Sequence, residues 1–386
     1  MGDETLVTDD RLAKQQELSH WLALLHAPGI GPITLARLLD YYTEPDAILD
    51  AASKGELRQS GLLNKAGLKY LSNPNWAAVE HDLNWLHSAP NHYILPLSSP
   101  HYPVLLREIP DPPPLLFVKG DITLLNNPQL AIVGSRNPSP VGAEISHAFA
   151  RDLAGYGLTI TSGLALGVDA AAHYGALAAN GHTIAVTGTG LDRVYPAAHR
   201  ALAHTIADHG ALVSEFPPGT EAKPHHFPRR NRLISGMSLG TLVTEAALRS
   251  GSLITAHQAL EQGREVFAIP GSIYNPLARG CHALLRNGAK LVEEINDIIE
   301  ELGHFLPTRP TTPPEQQKGK RTATGLDQRQ QMVINNLGFE PTAMDRLIER
   351  TGLTADALST ILLTLELAGH VVATSGGHYM RCKPQG

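Results

Sequence analysis

Between Gln129 and Gly271, six short apolar runs alternate with helical stretches. The runs are LAIVGS, LTITSG, HTIAVTGTG, ALVSEFP, GTLVTEA and EVFAIPG, each closing on glycine, proline or a small-residue turn. Between them lie helical segments such as GAEISHAFARDLAGYG, GVDAAAHYGALAANG and SLITAHQALEQG. Strand, helix, strand, repeated about six times, predicts a parallel sheet with helices on both faces. In such sheets ligands bind beyond the carboxyl ends of the strands. The motifs that carry chemistry all fall there.

The flanks read differently. Residues 1–90 look helical, with two apolar helical runs broken by Pro28-Gly29-Ile30-Gly31-Pro32, and acidic residues outnumber basic ones 12 to 7. PGIGP between helices resembles a hairpin whose backbone N–H groups touch DNA phosphate, but its acidic surroundings favour a structural turn. The proline-dense stretch YILPLSSPHYPVLLREIPDPPPLLFVKGD reads as an extended connector with short strands. Residues 304–325 are polar, rich in Pro, Thr and Lys, and read as a linker. Three short helices and a hairpin turning on Gly376-Gly377 follow, the outline of a winged helix. The expected organisation is a helical region at 1–90, a core at 91–303, the linker, and a winged-helix domain at 326–386.

At 386 residues and 42% hydrophobic composition, the chain can bury a core in two or three domains. Two cysteines, Cys281 and Cys382, give neither a disulfide framework nor a cysteine-rich zinc site. The polar, acidic start does not read as a signal peptide, and no run of about 20 apolar residues predicts a membrane span. The expected location is cytoplasmic. A formal charge of -6 argues against a generic nucleic-acid coat, but the distribution is uneven. Residues 216–290 hold nine Lys and Arg against four Glu. That asymmetry is the footprint of a polyanion groove.

Three arginines of this region, Arg229, Arg230 and Arg232, cluster beside Phe227 in HHFPRRNRLISGMS. Guanidinium groups clamp phosphates, and a ring offers a stacking platform worth about 1–3 kcal/mol per base. In VGSRNPSPVGAE, Gly134 permits a tight turn, while Ser135 and the backbone N–H groups are placed to hold an anion at a helix start, with Arg136 adding a bidentate contact. Ser250, Gly251, Ser252 and Thr255 form a second candidate anion cradle after a strand ending near Glu245. Asp169 and His173 share a helix face but lack the partners of a metal site, and helix-surface packing or a polar network is the better reading. Asp192, Arg193, Tyr195 and His199 read as a loop tied down by Tyr195-Pro196. No dinucleotide fingerprint, P-loop lysine or nucleophile elbow is present, so no cofactor, metal or catalytic pair is assigned. In the tail, TADALSTILLTLELAGH carries Asp356 and Glu366 but no Lys or Arg, where a duplex-reading helix needs cations. The tail reads as a protein-contact or dimer module.

In order and spacing, GSR, SGLALGVDAAAH, GTGLDRVYP, FPRRNRLISGMS, EAALRSGSLITA, FAIPG and GCHALLRNGAKLVE are similar to the DNA-processing protein A family, also called Smf. The resemblance covers most of residues 92–300. It implies an α/β fold: an extended Rossmann-like core with a parallel-rich sheet, a sterile-alpha-motif-like helical N-terminal domain and a C-terminal winged-helix domain. It implies a non-enzymatic protein that binds single-stranded DNA, forms a homodimer and loads RecA recombinase onto DNA taken up in natural transformation. Carried over, Gly134, Ser135 and Arg136 with Lys223, Phe227, Arg230, Asn231 and Arg232 would line the DNA pocket. Gly163, Ser250, Gly251 and Thr255 complete the expected DNA-binding set. His282 stands where the family pattern has asparagine and takes no assigned role. The rival expectation is a nucleotide-binding or nucleotide-hydrolysing Rossmann-like enzyme using Gly240-Thr241 and Glu245.

Overall fold

The computed structural model describes residues 15–305, 326–337, 341–374 and 376–382. Most of the expected linker, at 306–325, lies outside the described residues, as do residues 1–14. The chain divides into two units, Met1–Phe305 and Leu306–Gly386.

The first unit begins with helices α1 (15–25), α2 (Pro32–Tyr42), α3 (Pro45–Ser53), α4 (Lys65–Leu71) and α5 (Trp76–His87). Trp21, Leu22, Leu24, Leu35, Leu38, Ile48 and Leu71 form their shared interior. The PGIGP segment is a turn packed against protein. Gly29 has φ of 80°, and a Cβ there would lie 2.4 Å from Asn64 Nδ2. The same buried cluster takes in Leu164, Leu191, Leu202 and Ile206, so the helical region is packed onto the α/β part.

That part contains β1 (His92–Pro96), α6 (Val104–Arg107), β2 (Leu115–Gly120), β3 (Gln129–Val133), α7 (Pro140–Tyr156), β4 (Thr159–Ser162), α8 (Val168–Ala178) and β5 (Thr183–Val186). It continues through α9 (Arg200–His209), β6 (Ala211–Ser214), α10 (His226–Gly236), β7 (Gly240–Val243), α11 (Gly251–Glu261), β8 (Glu265–Ala268), α12 (Arg279–Arg286), β9 (Lys290–Leu291) and α13 (Ile295–Leu302). The nine strands form one sheet in the order β1-β2-β6-β5-β4-β3-β7-β8-β9. From β6 to β9 all neighbours are parallel, whereas β2 runs antiparallel to both β6 and β1. The proline-dense connector therefore contributes an edge: Leu115, Leu116, Phe117 and Val118 are buried in it.

The parallel strands are buried on both faces, as their unbroken apolar runs demand. Leu130, Ala131, Ile132, Ile184, Leu242 and Phe267 have no exposed surface. Each of the Leu, Ile and Phe side chains contributes about 1.5–3 kcal/mol relative to exposure. Local signals set the helix ends. The Ser139 side chain accepts from Gly142 N–H, Pro140 takes the first helical position, and Gly157 closes α7 at φ of 109°. Gly142, Ser146, Ala150 and Leu153 give α7 a buried stripe at helical spacing. It packs closely on α8, because a Cβ on Gly175 would come within 2.2 Å of the His147 carbonyl.

The chain lays β3 to β6 outward on one side of the sheet, then crosses back to put β7, β8 and β9 on the other. The reversal lies between β3 and β7, which pair in parallel from Leu130–Gly240 to Val133–Val243. The carboxyl ends of these two strands flank the crevice where an open α/β sheet takes its ligand.

The second unit holds α14 (Gln328–Asn336), β10 (Thr342–Ala343), α15 (Met344–Thr351), α16 (Ala355–Leu367), β11 (Val371–Thr374) and β12 (His378–Arg381). Its strands run in the order β10-β12-β11, and Val333, Leu347, Leu358, Leu362, Leu365 and Val371 make its core. Gly376 and Gly377, at φ of 79° and 72°, turn the hairpin. This is a winged helix on an α/β chain whose sheet is an extended, parallel-rich Rossmann-like one. No helix among the described residues is long and apolar enough to cross a membrane.

Candidate nucleic-acid interface

A cleft of about 670 Å³ opens at the β3–β7 reversal. The turn after β3 supplies Gly134, Ser135 and Arg136, and the segment after β7 supplies Arg249, Ser250 and Gly251. The wall between them is α10, which presents Phe227, Arg230, Asn231 and Ile234. Those positions fall at i, i+3, i+4 and i+7, one face of a helix.

Phe227 is the centre of this face. Its ring lies 5.4 Å from Tyr195, with the Arg136 guanidinium 5.7 Å and the Arg230 guanidinium 6.0 Å from its centroid. A Cβ on Gly188 would sit 3.1 Å from the ring, so that glycine makes its seat. Arg136 is exposed and forms no ion pair among the described residues; the same holds for Arg249. Both guanidiniums are free to meet an anion.

Arg230 lies beneath the cleft, 4% exposed. Its Nη1 donates to the carbonyls of Gly163, at 2.5 Å, and Val186, tying α10 to the ends of β4 and β5. Burial holds its pKa down at about 10, so it keeps its charge at neutral pH. Gly163 is a glycine because a Cβ would fall 2.7 Å from both Arg230 Nη1 and Asp169 Oδ2. Asp169 accepts from the N–H groups of Gly163 and Ala165 at 3.1 and 3.2 Å. Burial pushes its carboxyl up, against the pull of Arg230 and those N–H groups. It is the one carboxylate among the residues lining the cleft.

The two candidate anion cradles fare differently. The first is filled from within. Glu245 accepts from Ser139 N–H at 2.8 Å and Ser139 Oγ at 2.7 Å, plugging the start of α7 with its own carboxylate. Ser135 N–H is also taken, donating to the Glu245 carbonyl at 2.7 Å. The Ser135 and Ser139 N–H groups are therefore not available to an external anion, which corrects that part of the expectation, while Gly134 and the Ser135 hydroxyl still line the cleft. The second cradle is open only around Gly251, since Ser250 N–H donates to the Ala247 carbonyl and Leu253 N–H to the Ser250 carbonyl. Ser250 caps α11, accepting from Ser252 N–H, and nothing lies within 4 Å of where a Gly251 Cβ would be. Asn231 braces it by donating to the Gly251 carbonyl at 3.4 Å, and Thr255 lines the same wall.

Two further residues of the expected set lie elsewhere. Arg232 is buried and turned away: its Nη2 is 2.6 Å from Glu215 Oε2, and its Nε is 3.3 Å from Asp111 Oδ2. Arg229 meets the same Glu215 oxygen at 2.8 Å and lies over the Phe216 ring at 5.2 Å. Being three apart, 229 and 232 share one helix face, and it is not the face of 227, 230 and 231. Lys223 is exposed on the turn before α10 and does not line the cleft. Tyr195, Asp169 and Arg249 line it without having been assigned there. For Arg249 the signal was its place just before the Ser250 cap.

The pairings outside the cleft are structural. His173 is fully buried, 2.7 Å from Thr183 Oγ1, and burial lowers its pKa to about 3. Asp169 and His173 thus serve different partners, and no group of three or more metal-ligating side chains occurs among the described residues. Asp192 ties its loop to Gly219 N–H at 2.9 Å, and His282 lies 2.9 Å from the Gly271 carbonyl.

Residues 93–303 match the family model described as DNA recombination-mediator protein A, and residues 311–377 match a DprA winged helix domain. Protein Smf of Escherichia coli K12 is 43% identical over 365 residues, covering 93% of this chain and 94% of that one. DNA processing protein DprA of Bacillus subtilis is 41% identical over 258 residues, 66% of this chain and 84% of that one. Among solved structures, DNA processing protein A of Streptococcus pneumoniae superposes with a TM-score of 0.66 at 39% identity, over 73% of this chain and 97% of that one. DNA processing protein A of Helicobacter pylori, whose structure is described as revealing its single-stranded DNA binding mode, gives a TM-score of 0.51 at 31% identity, over 56% and 97% of the chains.

Proposed function

The chain belongs to the DNA recombination-mediator protein A (DprA/Smf) family, and we propose that it binds single-stranded DNA in the cleft between β3 and β7. One observation carries this reading: two exposed guanidiniums, Arg136 and Arg249, with no ion pair among the described residues, line one cleft with an aromatic ring that lies over a buried third cation. Cations for phosphates beside a platform for a base is the combination that single-strand binders use. A duplex presents no unstacked base to Phe227 without a cost of a few kcal/mol.

In this reading Arg136 and Arg249 hold successive phosphates, Ser250 and Gly251 at the start of α11 face the same cleft, and a base stacks against Phe227 with Tyr195 at its edge. The residues that contact DNA are Gly134, Ser135, Arg136, Phe227, Asn231, Ser250, Gly251 and Thr255, with Gly163 and Arg230 holding the floor. The protein protects incoming DNA in natural transformation and loads RecA, as a homodimer in the cytoplasm. Family membership supports these roles, and the acid-bearing α16 supports the winged helix as a protein-contact module.

The nucleotide-hydrolysing alternative needs Glu245 free to act on substrate. Both of its carboxylate oxygens are engaged by Ser139 and Asn275, and it does not line the cleft. The reading is therefore of binding without catalysis. In fluorescence anisotropy, oligo-dT is expected to bind more tightly than a duplex of equal length, and thymidine monophosphate to compete weakly and remain intact. Log affinity should fall with log salt by about 0.7 per phosphate contacted. Equal affinity for duplex, or turnover of the mononucleotide, would overturn the proposal.

A further inference from the structure

The helical region carries a second cationic recess. Between α3 and α4 a groove of about 500 Å³ is lined by Arg58, Lys65 and Lys69 over an apolar floor of Ala52, Leu57 and Leu68. Lys65 and Lys69 are four apart on α4, and Arg58 faces them from the 3-10 turn Glu56–Gln59, which Gly55 enters at φ of 78°. All three cations are exposed, none forms an ion pair among the described residues, and no carboxylate lines the groove. On α3, Asp50 is already engaged with Lys54 at 2.5 Å.

This is not the average character of the region. Between residues 15 and 90 there are eight Asp and Glu and only five Lys and Arg, yet three of the five gather here. Two like charges at i and i+4 oppose helix formation. The groove spends that stability without an internal anion to recover it. A concave, cation-lined surface of this kind fits an extended polyanion.

We propose that Arg58, Lys65 and Lys69 form a second phosphate-binding site, which takes the backbone of a DNA single strand running beyond the cleft. The site rests on the reading of the cleft as the primary single-strand site. Two observations favour a phosphodiester chain over an acidic peptide. The chain is a DNA-processing protein. The helical region also shares a buried cluster with Leu164 and Leu191, in the segments that follow β4 and β5, so groove and cleft ride on one packed body. The groove lies before residue 93, where the matched family region begins.

The test uses the full chain and two labelled oligo-dT strands, one of about 8 nucleotides, enough to fill a single site, and one of about 40. The K65Q/K69Q variant is expected to bind the short strand as wild type does and the long strand roughly tenfold more weakly, with a log–log salt slope shallower by about 1.4. K65R/K69R keeps wild-type affinity for both. R136A weakens the short strand. Should R136A leave the short strand unaffected while K65Q/K69Q weakens the long one, the cleft assignment fails and the groove stands. Unchanged long-strand affinity and slope in K65Q/K69Q overturn the groove. So does loss of poly-glutamate binding in that variant with long-strand binding intact, which makes the partner an acidic protein segment.

Discussion

Arg136→Ala is expected to weaken oligo-dT binding by roughly ten- to a hundredfold, the loss of one charge-assisted contact of about 1.5–3 kcal/mol. The guanidinium is exposed, makes no ion pair among the described residues and lies 5.7 Å from the Phe227 ring. Its removal leaves the buried Asp169 with Arg230 and the Gly163 and Ala165 N–H groups. The thermal midpoint should stay where it is, since surface substitutions away from buried networks change stability by about 0.5 kcal/mol or less. The loss should be the same for every base sequence, because a phosphate contact carries no sequence information. Arg136→Lys should recover part of the affinity, since a lysine keeps the charge but not the bidentate fork. Anisotropy titrations over a salt series check all of this. An unchanged affinity would remove Arg136 from the interface.

Glu215→Ala is expected to act through the fold. Glu215 sits at the end of β6, 2% exposed, with Arg229 and Arg232 both on its Oε2. Burial raises the carboxyl's pKa and the two guanidiniums oppose it, so the cluster is no large stabiliser in itself. The damage comes from what the substitution strands. Arg232, its side chain 6% exposed, would keep only Asp111, through its carboxylate at 3.3 Å and its backbone carbonyl at 2.6 Å. Breaking a buried pair in this way costs about 3–5 kcal/mol. Unfolding entropy grows with length, so for a unit of this size each kcal/mol moves the midpoint by about 1–2 °C and calorimetry should show a fall of roughly 5 °C. Single-strand affinity should fall with it, because the cluster anchors α10, and α10 carries Phe227 and Arg230. Glu215→Gln, which keeps an acceptor for Arg232, should be milder on both measures. A variant with wild-type stability would show that the cluster does not hold α10.

These contrasts show where the sequence could be read and where it could not. The parallel core was legible because strands buried on both faces must be short, unbroken apolar runs, and β3 to β8 fall on the six runs named. The winged helix was legible in its Gly376-Gly377 hairpin. The short strands of the proline-dense connector were legible, but their pairing as the antiparallel β1–β2 edge was not, since a proline-rich excursion separates the partners. At the site, residue types were legible but directions were not. Arg229, Arg230 and Arg232 read as one basic cluster, yet a helix turns 100° per residue and sends 229 and 232 to Glu215 while 230 goes under the cleft. The i, i+3 spacing held that information. What it lacked was the buried acid, contributed by a strand end 14 residues upstream of Arg229. Glu245 was misleading for the same reason: a carboxylate at a strand end reads as catalytic until Ser139 is seen to consume it.

The most direct test is to locate the strand itself. Oligo-dT carrying bromodeoxyuridine, bound to the full chain, irradiated and digested, reports by mass spectrometry which peptides touch a base. Cross-links to the α10 peptide at Phe227, with Tyr195 as the secondary site, are the predicted result. Cross-links confined to the winged helix, or to faces of the sheet away from the β3–β7 end, would contradict the account.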